Sequence, residues 1–253
     1  MGMPSVPPRW VGVRPVRKGA VARSIRVRPS KSQSKMSTTL ILQTPAGSAR
    51  LLLLLLFHGV GGTARSMELP GLLLAHAFPD ALVVSIDAAH VSDLGSGRQW
   101  FSVRGVTEEN RPARVDSAMP AFRESIAQWQ RVSGVGARAT VLVGFSQGAI
   151  MALESARRPD APPDCVFAIA GRFARSPGPI PSRVRLHLLH GQMDSVIPVV
   201  YTQQAARELL ACGADLTVDV LPGAGHELTA EIAGLVLERL RGYVQRHDCN
   251  AFP

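Results

Sequence analysis

Beyond residue 36 the chain alternates short apolar runs with longer segments in which apolar positions recur every three or four residues. The runs at 38–43, 51–57, 81–86, 139–143, 165–170, 185–190 and 216–221 read as strands, most of them lacking the alternation of a half-solvated sheet. Strands apolar at every position belong where both faces are buried, which is the setting of a parallel sheet covered by helices. Between them, residues 65–77, 112–131, 147–157, 199–211 and 227–246 carry helical character. The last sets Ile232, Leu235, Val236, Leu240 and Val244 along one face. This order predicts an α/β fold: a mostly parallel central sheet with helices on both faces, in one domain over residues 37–249.

The six leucines at 51–56 suit a helix by propensity alone. They are followed by His58-Gly59-Val60-Gly61-Gly62, a turn cluster that a helix interior does not tolerate, so a central strand is expected. The longest uninterrupted apolar run, 51–57, falls far short of the ~20 residues of a membrane-spanning helix.

Charge changes the picture at the N-terminus. The net charge of +9 suggests a nucleic-acid or membrane-surface partner, but nine of the 28 basic side chains lie in residues 1–35, which hold no acidic one. The remaining basic and acidic residues balance, and no basic recognition helix or aromatic stacking platform stands out, so no specific nucleic-acid partner is expected. Residues 1–36 are read as a disordered basic extension, because they offer too little apolar surface to offset chain entropy. They lack the apolar core of a secretion signal. Met36 is read as the translation start, and the mass of the native N-terminus tests this. Cys165, Cys212 and Cys249 are odd in number and form no CxxC, so neither a disulfide framework nor a zinc site is expected, and the cytoplasm is the expected compartment.

The chemistry concentrates at three loops. Gly144-Phe145-Ser146-Gln147-Gly148 fits G-x-S-x-G between a strand and a helix, a context that lifts a serine above the sheet. The pentapeptide alone is weak, and its plain reading is a helix N-cap. Weight comes from Asp194, after the strand at 185–190, and His226, after the strand at 216–221, in the Ser, acid, His order this arrangement requires. All three fall at the carboxyl edge of the sheet. Serine needs a neighbouring imidazole to accept its proton, and a carboxylate to orient that imidazole. Asp215 and Asp219 are alternative acids, although Asp219 lies inside a strand. The amides of Gln147 and Val60 are the expected donors to an oxyanion. His58 and His190, at strand ends before glycine, read as supporting hydrogen-bonding residues. His187 and His190 would face opposite sides of their strand, so no metal or cofactor is expected.

The set HGVGG, GRQWF at 97–101, GFSQG, HGQMD and GHEL resembles the small serine carboxylesterases and acyl-protein thioesterases of the phospholipase/carboxylesterase family, over about residues 39–246. The segment from Gly97-Arg98-Gln99-Trp100-Phe101 to Glu108-Glu109-Asn110-Arg111-Pro112 is similar to the bacterial esterase branch. The resemblance implies an α/β-hydrolase fold without a large lid, a triad of Ser146, Asp194 and His226, and an oxyanion hole at Val60 and Gln147. It also implies that Trp100 and Phe101 line the acyl side, and that the substrate is a short- to medium-chain acyl ester or a thioester. The chain departs at Gly62, where relatives commonly carry Asp. The oligomeric state stays open. The rival reading is a dinucleotide-binding oxidoreductase: Gly59-Val60-Gly61-Gly62-Thr63-Ala64 matches G-x-G-x-x-A, with Asp87 as the ribose acid. That reading leaves Ser146, Asp194 and His226 unexplained.

Overall fold

A computed structural model describes residues 23–26, 38–45, 52–160 and 163–248. Along the chain it forms β1 (Arg23–Arg26), β2 (Thr38–Gln43), β3 (Leu52–Phe57), α1 (Glu68–Ala77) and β4 (Ala81–Ile86). A two-stranded ribbon, β5 (His90–Val91) and β6 (Arg98–Gln99), precedes α2 (Arg111–Ser133), β7 (Thr140–Phe145) and α3 (Gln147–Ala156). β8 (Cys165–Ile169), β9 (Arg185–Gly191), α4 (Val200–Ala211), β10 (Asp215–Leu221) and α5 (Ala230–Asp248) complete it. The main sheet has the order β1-β2-β4-β3-β7-β8-β9-β10. From β4 to β10 all pairings are parallel, and β1 and β2 pair antiparallel at one edge.

The leucine run shows why the sheet stands at the centre. Every residue of β3 is buried. Leu53, Leu55 and Phe57 enter the core beneath α2, α3 and α4, while Leu52, Leu54 and Leu56 enter the core beneath α1 and α5. The two-residue period of a strand therefore feeds two cores from one apolar run. Each buried leucine side chain contributes roughly 1.5–3 kcal/mol relative to exposure. On α5, Ile232, Val236 and Leu240 are buried as the periodicity predicts, with Tyr243 added and Leu235 and Val244 packed at the margin. No helix among the described residues is long and apolar enough to cross a membrane.

Two features differ from expectation. The basic segment read as disordered contains β1, which pairs with β2 from Arg23 opposite Ile41 to Arg26 opposite Thr38. Backbone hydrogen bonding to an open sheet edge does not need an apolar side-chain pattern. The rest of residues 1–36, Leu51 and Cys249 lie outside the described residues. The final helix starts at Ala230, not at 227, because residues 222–229 form the loop that carries His226.

One buried side chain makes stability depend on pH. His187 on β9 is 1% exposed and stacks on Phe167, with ring centroids 4.4 Å apart. Its Nδ1 meets the Thr217 hydroxyl at 2.7 Å, and its Nε2 has no partner among the described residues. Burial, then Arg185 and Arg239, pushes its pKa down to about 4. The unfolded chain takes up this proton near pH ~6.5 and the folded one only near pH 4, so acidification across that window favours unfolding, by roughly 3 kcal/mol when complete. His187→Leu is expected to lose less denaturant resistance than the wild type between pH 6.5 and 4.5. Equal losses in the two proteins would contradict this.

Candidate active site

Ser146 ends the turn between β7 and α3 with φ 53° and ψ −116°, a strained conformation for a residue with a Cβ. Its N–H donates to the Ile169 carbonyl at the end of β8, at 2.9 Å. The flanking glycines have a steric cause. A Cβ on Gly144 would stand 2.6 Å from the Ala149 backbone, and one on Gly148 would run into the Phe57 carbonyl. The first turn of α3 is thus seated backbone against backbone on β3, with Gln147 as its first helical residue.

Asp194 and His226 reach Ser146 from the loops after β9 and β10. Those loops are tied together by Gln192 N–H to Leu221 O at 2.8 Å and Met193 N–H to Ala224 O at 2.9 Å. His226 Nε2 lies 2.8 Å from Ser146 Oγ, and its Nδ1 lies 2.7 Å from Asp194 Oδ2. Phe145 packs beside the imidazole, with ring centroids 5.2 Å apart. Asp194 Oδ1 accepts the N–H groups of Val196 at 2.9 Å and Ile197 at 2.8 Å. Burial pushes the Asp194 carboxyl up, but the His226 hydrogen bond and those two amides outweigh it and hold the group below the usual carboxylate range. The alternative acids are engaged elsewhere: Asp215 pairs with Arg185 at 2.7 Å and Asp219 with Arg239 at 2.9 Å.

Both other strand-end histidines support the site from behind. His190 is fully buried; its Nε2–H donates to Ile197 O at 2.7 Å and faces Asp194 Oδ2 at 3.2 Å, while Nδ1 accepts the Thr202 hydroxyl at 2.7 Å. His58 accepts the Ala88 N–H on Nε2 at 3.1 Å, which puts its proton on Nδ1, donated to Gly59 O at 2.7 Å. Burial lowers the pKa of each, so both act as neutral struts.

The glycine loop at 59–62 lies over the serine turn, where a Cβ on Gly59 would stand 3.1 Å from Ser146 Cβ. β6 holds that loop through Gly61 N–H to Arg98 O at 2.9 Å and Arg98 N–H to Gly62 O at 2.8 Å. The Gln147 side chain then clasps the same segment to the serine turn. Its Oε1 accepts the Trp100 N–H at 2.7 Å and its Nε2 donates to Phe101 O at 2.8 Å. This clasp was not legible in the sequence, because the motif fixes the backbone at 147 and leaves the side chain there unassigned.

Of the two residues expected at the substrate pocket, Phe101 lines the cleft at Ser146 and Trp100 does not. A cleft of about 260 Å³ is lined by Val60, Phe101, Ser146, Gln147, Ile150 and Ile197, among others. Trp100 is turned into the core against Phe57, Phe122 and His58, and its indole N–H donates to His58 O at 2.9 Å. A buried indole keeps a hydrogen-bond partner, and here that partner lies behind the site. Volume alone does not locate the chemistry: a larger cavity, about 510 Å³, lies along α2 at Met119 and Ile126, away from Ser146. The dinucleotide reading fails on Asp87, which accepts the Ala64 N–H at 2.5 Å and lies 4.0 Å from His58 Nε2 behind the glycine loop. Its carboxylate supports that loop instead of facing a ribose.

A strand-turn-helix serine meeting an imidazole and a carboxylate on a mostly parallel sheet defines an α/β-hydrolase. The chain belongs to the phospholipase/carboxylesterase family, whose description matches residues 41–241. It is 44% identical over 207 residues to esterase YpfH of Escherichia coli strain K12, covering 82% of this chain and 89% of that protein. Among solved structures, esterase PE8 superposes with a TM-score of 0.70 at 30% identity, covering 79% of this chain and 96% of that one. A carboxylesterase from Mesorhizobium loti, at 15% identity and TM-score 0.66, shares the fold over 87% of this chain and 99% of its own. The chain is a carboxylic ester hydrolase.

Proposed function

We propose that hydrolysis proceeds through an acyl-enzyme on Ser146, with His226 as general base and acid, Asp194 as its orienting carboxylate, and the amides of Val60 and Gln147 as the oxyanion hole. The observation that carries this reading is the unbroken hydrogen-bonded chain from Ser146 Oγ through both nitrogens of His226 to Asp194 Oδ2. As Ser146 Oγ bonds to the ester carbonyl carbon, its proton passes to His226 Nε2 and the carbonyl π pair moves onto oxygen. That oxyanion accepts the N–H of Gln147, one of the helix amides without an intrahelical acceptor, and the N–H of Val60. When the intermediate collapses, the carbon–oxygen bond to the alcohol breaks and His226 returns the proton to the departing alkoxide. Water then repeats the sequence on the acyl-enzyme, releasing the acid and restoring Ser146.

The cleft volume of about 260 Å³ supports small acyl groups, since it lies below the ~300–1,000 Å³ of pockets that enclose drug-sized ligands. With p-nitrophenyl esters, kcat/KM is expected to be highest at short to medium chains and to fall toward palmitate. A steady rise from acetate to palmitate would contradict this. The same triad accepts thioesters, because attack occurs at the carbonyl whatever the leaving atom. The odd number of cysteines, with no CxxC pair, supports a reducing compartment, the cytoplasm.

A further inference from the structure

The cleft carries a charge pattern that acyl transfer from a neutral ester does not use. Three of the residues lining the cleft are charged: Arg111, Arg172 and Glu108. Arg172 grips Glu108 with two bonds, Nη1 to Oε1 at 3.1 Å and Nη2 to Oε2 at 2.6 Å, and Arg111 Nη1 donates to the same Oε1 at 2.6 Å. Arg172 is further fixed by Nε donating to Phe173 O at 3.1 Å and by its guanidinium lying 3.5 Å above the Tyr201 ring. The arginine side chains are only 15% and 11% exposed, whereas Glu108 is 54% exposed. Burial pushes the Glu108 carboxyl up, but the two arginines outweigh it and keep it ionised below the usual range. The cleft therefore holds two cations against one anion.

Position makes the excess more costly. Arg111 opens α2, a 23-residue helix with no acidic residue in its first turn, so its charge sits at the positive end of the helix dipole. A guanidinium in that place, largely out of solvent and sharing its one carboxylate with a second arginine, is only partly compensated. An anion entering the cleft adds to that compensation. Arg111 spends one of its five N–H donors on Glu108, and a planar fork of donors matches a carboxylate. A purely structural tie between α2 and the loop after β8 would need one arginine, not two.

We propose that Arg111 and Arg172 form a carboxylate-recognition subsite, and that the preferred substrates are small esters with a free carboxylate, such as monoesters of dicarboxylic acids. The assignment rests on Ser146 being the nucleophile, and it adds a substrate class to that reading. The carboxylate enters on either the acyl or the alcohol side, so two matched pairs test it. One is p-nitrophenyl glutarate monoester against its methyl diester, and the other is 4-butanoyloxybenzoate against its methyl ester. For at least one pair, wild-type kcat/KM is expected to favour the acid at low ionic strength. The advantage should shrink as salt rises, because screening acts on the charged partner only.

Arg111→Gln is expected to lower the acid-to-neutral ratio at least about tenfold, the size of a charge-assisted hydrogen bond lost. Arg111→Lys, which keeps the charge but not the planar fork, should keep only part of the ratio. Glu108→Gln should raise it, because the competing carboxylate is gone; this opposite-signed variant keeps the test decisive if Arg111→Gln folds poorly. A ratio near one for both pairs in the wild type, or one unmoved by both Arg111→Gln and Glu108→Gln, overturns the subsite. Loss of neutral-ester hydrolysis in Ser146→Ala with such a flat ratio leaves the nucleophile standing and removes the subsite alone. Retained hydrolysis in Ser146→Ala removes both.

Discussion

Ser146→Ala is expected to lose at least ~10³-fold of the rate of ester hydrolysis while remaining folded. The Ser146 hydroxyl bonds to His226 Nε2, and removing it leaves the Ser146 N–H to Ile169 O anchor in place. Alanine meets the same strain as serine at φ 53°, so the turn itself is not further disfavoured. On the proposed mechanism the variant lacks the atom that would carry the acyl group, and residual activity would come from substrate binding and the oxyanion donors acting on water. Asp194→Asn should approach the same loss by another route. An amide cannot accept from His226 Nδ1–H and from the Val196 and Ile197 amides at once, so it releases the imidazole and leaves the developing imidazolium without its anion. Unfolding melts and steady-state rates measured on both variants check the pair of expectations. A Ser146→Ala protein within tenfold of the wild-type rate would refute the first.

The second large effect is expected at Gly148. A Cβ there meets the Phe57 carbonyl and, at 2.8 Å, the His58 oxygen, all backbone at the end of the central strand. Such atoms cannot rotate away as a side chain does, so Gly148→Ala must lift the first turn of α3 from β3. Overpacking of this kind costs about 1–3 kcal/mol or more. The displacement also changes the distance between the Gln147 amide on α3 and the Val60 amide that follows β3, so activity should fall by more than stability accounts for. Gly234→Ala provides the contrast. It lies inside α5 with nothing within 4 Å of an added Cβ, and it should raise the unfolding midpoint, since alanine exceeds glycine in helix interiors by up to ~1 kcal/mol. Equal midpoints for Gly148→Ala and the wild type would show that the contact between helix and strand is not as tight as described.

The fold was legible wherever hydrophobic period and turn chemistry agreed. Six consecutive leucines would mislead a propensity argument, yet the glycine cluster after His58 forced a strand, and the split of that strand between two cores shows why no alternation was visible. Ser146, Asp194 and His226 were readable because each follows a strand at one sheet edge, a rule that needs no distances. The supports were not readable. Asp87 resembled a ribose ligand in sequence, and only its contacts with the Ala64 amide and His58 reveal a strut beneath the glycine loop. Trp100 and Phe101 are adjacent, and which of the two faces the cleft depends on local backbone direction, which composition does not encode. β1 escaped notice because an edge strand recruited by backbone pairing needs no side-chain period. The Arg111, Glu108 and Arg172 cluster joins residues 61 positions apart between Arg111 and Arg172, and no pattern in the chain announces it.

The account turns on the reactivity of one hydroxyl activated by one imidazole. Treating the wild type, Ser146→Ala and His226→Ala with a fluorophosphonate probe, followed by peptide mass mapping, tests this directly. The expected result is a single adduct on the peptide that contains Ser146 in the wild type, none in Ser146→Ala, and labelling slowed by orders of magnitude in His226→Ala. An adduct on another residue, or labelling as fast in His226→Ala as in the wild type, would contradict it.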